Sequence, residues 1–117
     1  MLSDKVRSFD ERRSRGNDLI LRDAPLSIKR FFALDQDVYE DGALPKSTKE
    51  LLGLVASAVL RCDDCIAYHV REATQAGLSR EELVEALGVA LIVGGSITIP
   101  HMRRALEFFE ELEGGEG

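Results

Sequence analysis

"KELLGLVASAVLRCDDCIAYHVREATQAGLSREELVEAL", residues 49–87, decides the fold. Leu51, Leu52, Leu54, Val55, Ala58 and Val59 recur at helical spacing and leave almost no polar face. A helix from about Ser47 to Leu60 therefore belongs at the centre of the molecule. The cysteine segment continues as a helix to about Ala76, where Gly77 stops it. "LSREE" opens another, with Ser79 at the N-cap and Glu82 at N3, the pattern of a capping box. That helix carries Leu83 to Val93 and ends at Gly94-Gly95.

Upstream, Ile28, Phe31, Phe32, Val38 and Tyr39 mark one face of a helix over 26–39, and Gly42 and Pro45 break the chain after it. Downstream, Met102, Ala105, Leu106, Phe109 and Leu112 form the stripe of a last helix from about Ile97 to Leu112. No run alternates as a strand would. In residues 1–24, Val6 and Phe9 suit a short helix and "LIL" (19–21) an extended arm. The expectation is an all-α, single-domain bundle of about six helices: an N-terminal helix or arm (1–24), the main domain (25–113) and a fraying tail (114–117).

Apolar residues make up 44% of the 117 and charged residues 31%, with a net charge of −6. That balance argues against nucleic acid, whose binding draws on clustered Lys and Arg. The basic residues near the start alternate with acidic ones, as on a solvated face. No apolar leader opens the chain, and the longest uncharged run (86–100) is too short to span a bilayer. A cytoplasmic location without a membrane partner is expected, and there a disulfide is transient or catalytic.

Cys62 and Cys65 are the two cysteines of the chain. Residues three, four and seven apart share a helix face, so Cys62, Cys65 and His69 form one stripe. His69 reaches Cys65 but stands about 10 Å along the axis from Cys62. An imidazolium stabilises a thiolate. A close charged partner is worth up to about 4 kcal/mol, against about 0.3–1 kcal/mol from a helix N-terminus favouring Cys62. Asp63 and Asp64 oppose a thiolate at either position. On this geometry Cys65 is the activated thiol and Cys62 closes the disulfide. Two alternatives stand beside it: buried, inert thiols, and zinc, for which these residues supply three of four ligands. No metal or cofactor is expected.

Glu50 stands twelve residues before Cys62, completing E-x11-C-x2-C-x3-H through Cys65 and His69. With this spacing the chain resembles the carboxymuconolactone decarboxylase family, in its alkylhydroperoxidase D-like (AhpD-like) branch, over about residues 25–112. The resemblance implies a helical subunit assembling into trimers or hexamers, and a CxxC pair that reduces hydroperoxides or exchanges disulfides. It implies Cys65 as the peroxide-attacking thiol, Glu50 and His69 as a proton relay, and an external dithiol, such as a lipoyl protein, as reductant. One position departs: the family's peroxidase carries a second histidine directly before the later cysteine, where this chain has Asp64. The family's decarboxylase does not depend on the cysteine pair. A non-redox member binding a small organic acid or lactone is therefore the alternative function, and a helical assembly module without catalysis is a third.

"STKE" (47–50) is also a capping-box pattern, with Ser47 at the N-cap and Glu50 at N3. One carboxylate cannot serve both cap and relay. If the two central helices form a hairpin, Glu50 meets His69 more readily than either sulfur. Tyr68 reads as packing, and His101 as a surface residue without a role. The helix over 79–93 has more apolar faces than one small core can cover, so residues 83–99 are expected to meet another subunit.

Overall fold

The structure, a computed structural model, describes residues 3–114. It holds six α-helices: α1 (Asp4–Arg22), α2 (Leu26–Val38), α3 (Lys46–Leu60), α4 (Asp63–Gln75), α5 (Arg80–Gly94) and α6 (Ile99–Gly114). A 3-10 turn (Ser96–Thr98) links α5 to α6, and no strand occurs among the described residues. The fold is all-α.

A two-residue reversal makes α3 and α4 a hairpin. Arg61 caps α3 in the left-handed region at φ 60°, and the Cys62 N–H donates to the Ser57 carbonyl at 3.0 Å. A side chain in that region costs about 1–2 kcal/mol, which the packing of the hairpin offsets. Leu54 and Ala58 of α3 meet Ile66, Val70 and Ala73 of α4 in the core. α5 covers α3 through Leu83, Leu87 and Ala90, and α6 covers α4 through Ala105, Phe108 and Phe109. The expected capping box of α5 is present, with Ser79 and Glu82 bonded in both directions.

The N-terminal expectation changes. α1 is one continuous helix, and Leu19-Ile20-Leu21 is helical, not an extended arm. Ser3 caps it by accepting the Val6 N–H. Val6 and Phe9 are buried, Phe9 lies edge-on to Phe108, and Asp10 pairs with Arg71 of α4. These contacts fix the first half of α1 across the bundle. The tail beyond residue 114 lies outside the described residues.

One further expectation is corrected by solvent exposure. α3 is not covered all round: Leu52 and Leu60 are 55% and 76% exposed. α2 buries no residue, and its Phe31 is 69% exposed. A bundle this small offers each helix neighbours on one or two sides, so a helix apolar all round keeps a bare face. With Val89 and Val93 of α5, Leu52 and Leu60 border an apolar groove of about 560 Å³. No helix among the described residues is long and apolar enough to cross a membrane.

Candidate active site

Cys62 does not lie on the helix as the periodicity suggests. It is the N-cap of α4, extended at φ −99°, and its sulfur accepts the Cys65 N–H at 3.3 Å. A thiol can cap as a hydroxyl does, and the tight reversal at Arg61 holds residue 62 outside the helix. Cys65 then occupies N3. A disulfide joins the two, with Cα atoms 5.3 Å apart, inside the usual range. Both sulfurs therefore sit at the positive end of α4, so the dipole favours neither thiol over the other. Exposure separates them: Cys65 is open to solvent and Cys62 is half-buried.

Glu50 is fully buried, and its Oε1 lies 2.8 Å from His69 Nδ1. The cap alternative is overturned, because Pro45 is the N-cap of α3 and makes no side-chain bond. A prolyl N-cap shifts the helix start ahead of Ser47 and frees Glu50 to point inward. The carboxylate's other oxygen accepts from Lys46 Nζ at 3.1 Å, and Lys46 also stands 3.9 Å from Glu72. A carboxylate removed from water needs such partners. Since a carboxylate only accepts, the Nδ1–H of His69 donates to it; in a neutral ring Nε2 is then the acceptor. The Tyr39 hydroxyl faces that nitrogen at 3.5 Å, a long contact.

Gly53, one turn after Glu50, makes this approach possible. A Cβ there would lie 2.6 Å from His69 Cε1 and 2.7 Å from the Tyr39 oxygen. The imidazole thus rests on bare backbone of α3, with Tyr39 on one side and Tyr68 edge-on at 5.3 Å.

The electrostatics follow from burial. Desolvation raises the Tyr39 phenol above its ordinary pKa, with the Glu50 charge adding to it. Tyr68 is raised by burial and by Glu72, and Arg13 opposes the shift. Burial pulls Lys46 down, but its bond to Glu50 and the charges of Glu50 and Glu72 outweigh that and raise it. Both phenols stay protonated as donors and Lys46 stays cationic.

Cys65, Tyr68 and His69 open onto a cavity of about 520 Å³ with Asp64, Asp35 and a face of α1. That volume suits a small-molecule ligand. Tyr68 is therefore a wall of the site, where the sequence suggested packing alone. His101, given no role, bonds through Nδ1 to Asp63 Oδ1 at 2.8 Å, with Arg104 3.5 Å from the same carboxylate. These contacts tie the start of α6 to the first turn of α4, and the Arg104 guanidinium faces the Asp63 charge beside the disulfide.

Sequence reasoning missed Tyr39, Lys46, Gly53 and Arg13. Lys46 carried a signal, being four residues from Glu50. Tyr39 and Arg13 carried none, because they reach the site across helix boundaries. Among the described residues, no group of three or more His, Cys, Asp and Glu stands together as a metal-ligand set.

The model of the carboxymuconolactone decarboxylase family matches residues 25–108. The crystal structure of TM1620 from Thermotoga maritima superposes with a TM-score of 0.91 at 55% identity, covering 94% of this chain and 96% of that one. A family protein from Legionella pneumophila superposes with a TM-score of 0.85 at 33% identity, over 94% and 98% of the two chains. An alkyl hydroperoxide reductase AhpD from Mycolicibacterium paratuberculosis is 36% identical over 62 residues, 53% of this chain and 35% of its own length. With its helical hairpin and its match over most of the sequence, the chain belongs to the carboxymuconolactone decarboxylase family, on its AhpD-like branch.

Proposed function

We propose that this protein is a thiol-dependent oxidoreductase that reduces a small hydroperoxide or disulfide. The observation that carries the reading is the Cys62–Cys65 disulfide, whose exposed Cys65 end shares a cavity with His69, itself held by the buried Glu50. Similarity to AhpD supports it, as does the antioxidative role suggested for the T. maritima protein.

The cycle balances as follows. The Cys65 thiolate attacks the distal oxygen of ROOH, the O–O bond breaks, and RO⁻ takes a proton to leave as ROH. Sulfur is oxidised to sulfenic acid. The Cys62 thiol then attacks that sulfur, releasing water and closing the disulfide. An external dithiol, lipoyl-type or otherwise, restores both thiols with two electrons and is itself oxidised to a disulfide. His69 is the base: Nδ1–H is committed to Glu50, and Nε2, reached only by the long 3.5 Å contact from Tyr39, takes the proton. Glu50 orients the ring and stabilises the imidazolium that forms. Asp64, in place of a second histidine, leaves this as the one imidazole of the relay.

The test is a thiol count on reduced protein before and after one equivalent of cumene hydroperoxide. Two thiols should fall to none, with one ROH formed for every two thiols lost. Cys62→Ser should stop at a trappable sulfenic acid, and Cys65→Ser should not react. If Cys65→Ser reacts and Cys62→Ser does not, the roles are reversed. If neither thiol is consumed, the reading fails.

A further inference from the structure

The wall of the cavity opposite Cys65 comes from α1, which lies outside the family match of residues 25–108. Phe9, Arg12, Arg13, Gly16, Asn17 and Ile20 line it at the spacing of a single helical face. Gly16 has no neighbour within 4 Å of where a Cβ would stand, so the middle of this wall is a notch. The cysteine pair thus lies within the family match, while the wall it faces comes from a helix that precedes it.

Charge divides the cavity. Asp64 precedes Cys65, and Asp35 enters from α2, so carboxylates occupy the α4 and α2 sides. Arg12 and Arg13 occupy the α1 side, and neither makes an ion pair or gives a hydrogen bond among the described residues. The Arg13 guanidinium is nevertheless held in place, 4.1 Å above the Tyr68 ring. A stacked guanidinium keeps its edge donors available, and those donors match a carboxylate fork. Ile20, about two turns beyond Arg13, and the uncovered edge of the largely buried Phe9 add apolar atoms to the lining.

Resting on the dithiol reading above, we propose that α1 selects the substrate, with Arg13 receiving the carboxylate of an acid-bearing apolar hydroperoxide. Asp64 repels the acid end and admits the neutral O–O end to Cys65. Arg13 draws the acid end to the α1 wall, and the apolar body lies in the cavity between the two charges. Arg13 is a specificity residue and touches no reacting atom.

The test uses full-length reduced protein and two probes of equal chain length, octanoate and octan-1-ol, as protectants of Cys65 against iodoacetamide. Octanoate should protect at lower concentration than the alcohol. Arg13→Gln should raise the half-protecting octanoate concentration about tenfold, the loss of one charge-assisted contact, and leave octan-1-ol unchanged. Arg13→Lys should restore part of the difference. Equal protection by acid and alcohol, or an Arg13→Gln effect equal on both, overturns the proposal. A second arm compares turnover of linoleic acid hydroperoxide with that of its methyl ester. A wild-type preference for the acid that vanishes in Arg13→Gln supports the assignment, and a preference that survives overturns it. If neither is reduced, the peroxidase reading fails while the protection result still decides the role of Arg13.

Discussion

Replacing Gly53 by alanine sets two known effects against each other at one atom. In a helix interior, alanine exceeds glycine by about 0.5–1 kcal/mol. At position 53, however, the new methyl would stand 2.6 Å from His69 Cε1, where ordinary contact begins at 3.4 Å. The obstructing atoms are a ring pinned by Glu50 and a phenol held beside it, not the free end of a flexible chain. Overpacking of this kind costs about 1–3 kcal/mol. The net expectation is a loss of roughly 1–2 kcal/mol, with the 2.8 Å bond from His69 to Glu50 stretched or broken. Urea denaturation measures the first effect and the pH profile of Cys65 alkylation the second. Gly16→Ala is the control: nothing lies within 4 Å of its Cβ, so it should gain about 0.5–1 kcal/mol. If Gly53→Ala gains stability as the control does, with Cys65 reactivity unaltered, His69 does not rest against α3 and the relay geometry is wrong.

Glu50→Gln keeps the shape but removes the charge that Lys46 and His69 share. We expect roughly 1–3 kcal/mol of lost stability and a slower low-pH alkylation of Cys65; equal rates would remove Glu50 from the relay. Tyr39, Tyr68 and Lys46 all have raised pKa values, so the native state holds protons that the unfolded chain has lost above about pH 10. Their contribution is complete below the unfolded values and fades as pH rises through the folded ones. Tyrosinate absorbance should therefore appear at higher pH in native than in urea-unfolded protein, and coincident titrations would contradict the burial of both phenols. The bare apolar faces of α3 and α5 are expected to meet further copies as a trimer or hexamer. Ile92, 85% exposed, is the residue to test: Ile92→Asp should shift sedimentation toward the monomer, and a monomeric wild type would refute the expectation.

Helical periodicity by itself determined the all-α class, because 3.6-residue spacing is a local property that a window of about three to five turns displays. The capping box at Ser79 and Glu82 was legible for the same reason, both partners lying within one turn. The pairing of Glu50 with His69 was legible only through spacing, since a tight hairpin converts distance from the turn into proximity. Where two local solutions competed, tertiary structure chose. "STKE" satisfied the cap pattern, but Pro45 took the N-cap and the buried imidazole took the carboxylate. Cys62 had helical neighbours on both sides, yet the left-handed turn at Arg61 held it outside the helix. Tyr39, Tyr68 and Arg13 reach the site from three different helices or helix ends, and their meeting depends on how α1, α2 and α4 are set against one another. No residue-level pattern encodes that, because cross-helix proximity comes from the packing of the whole bundle and not from spacing along any one element.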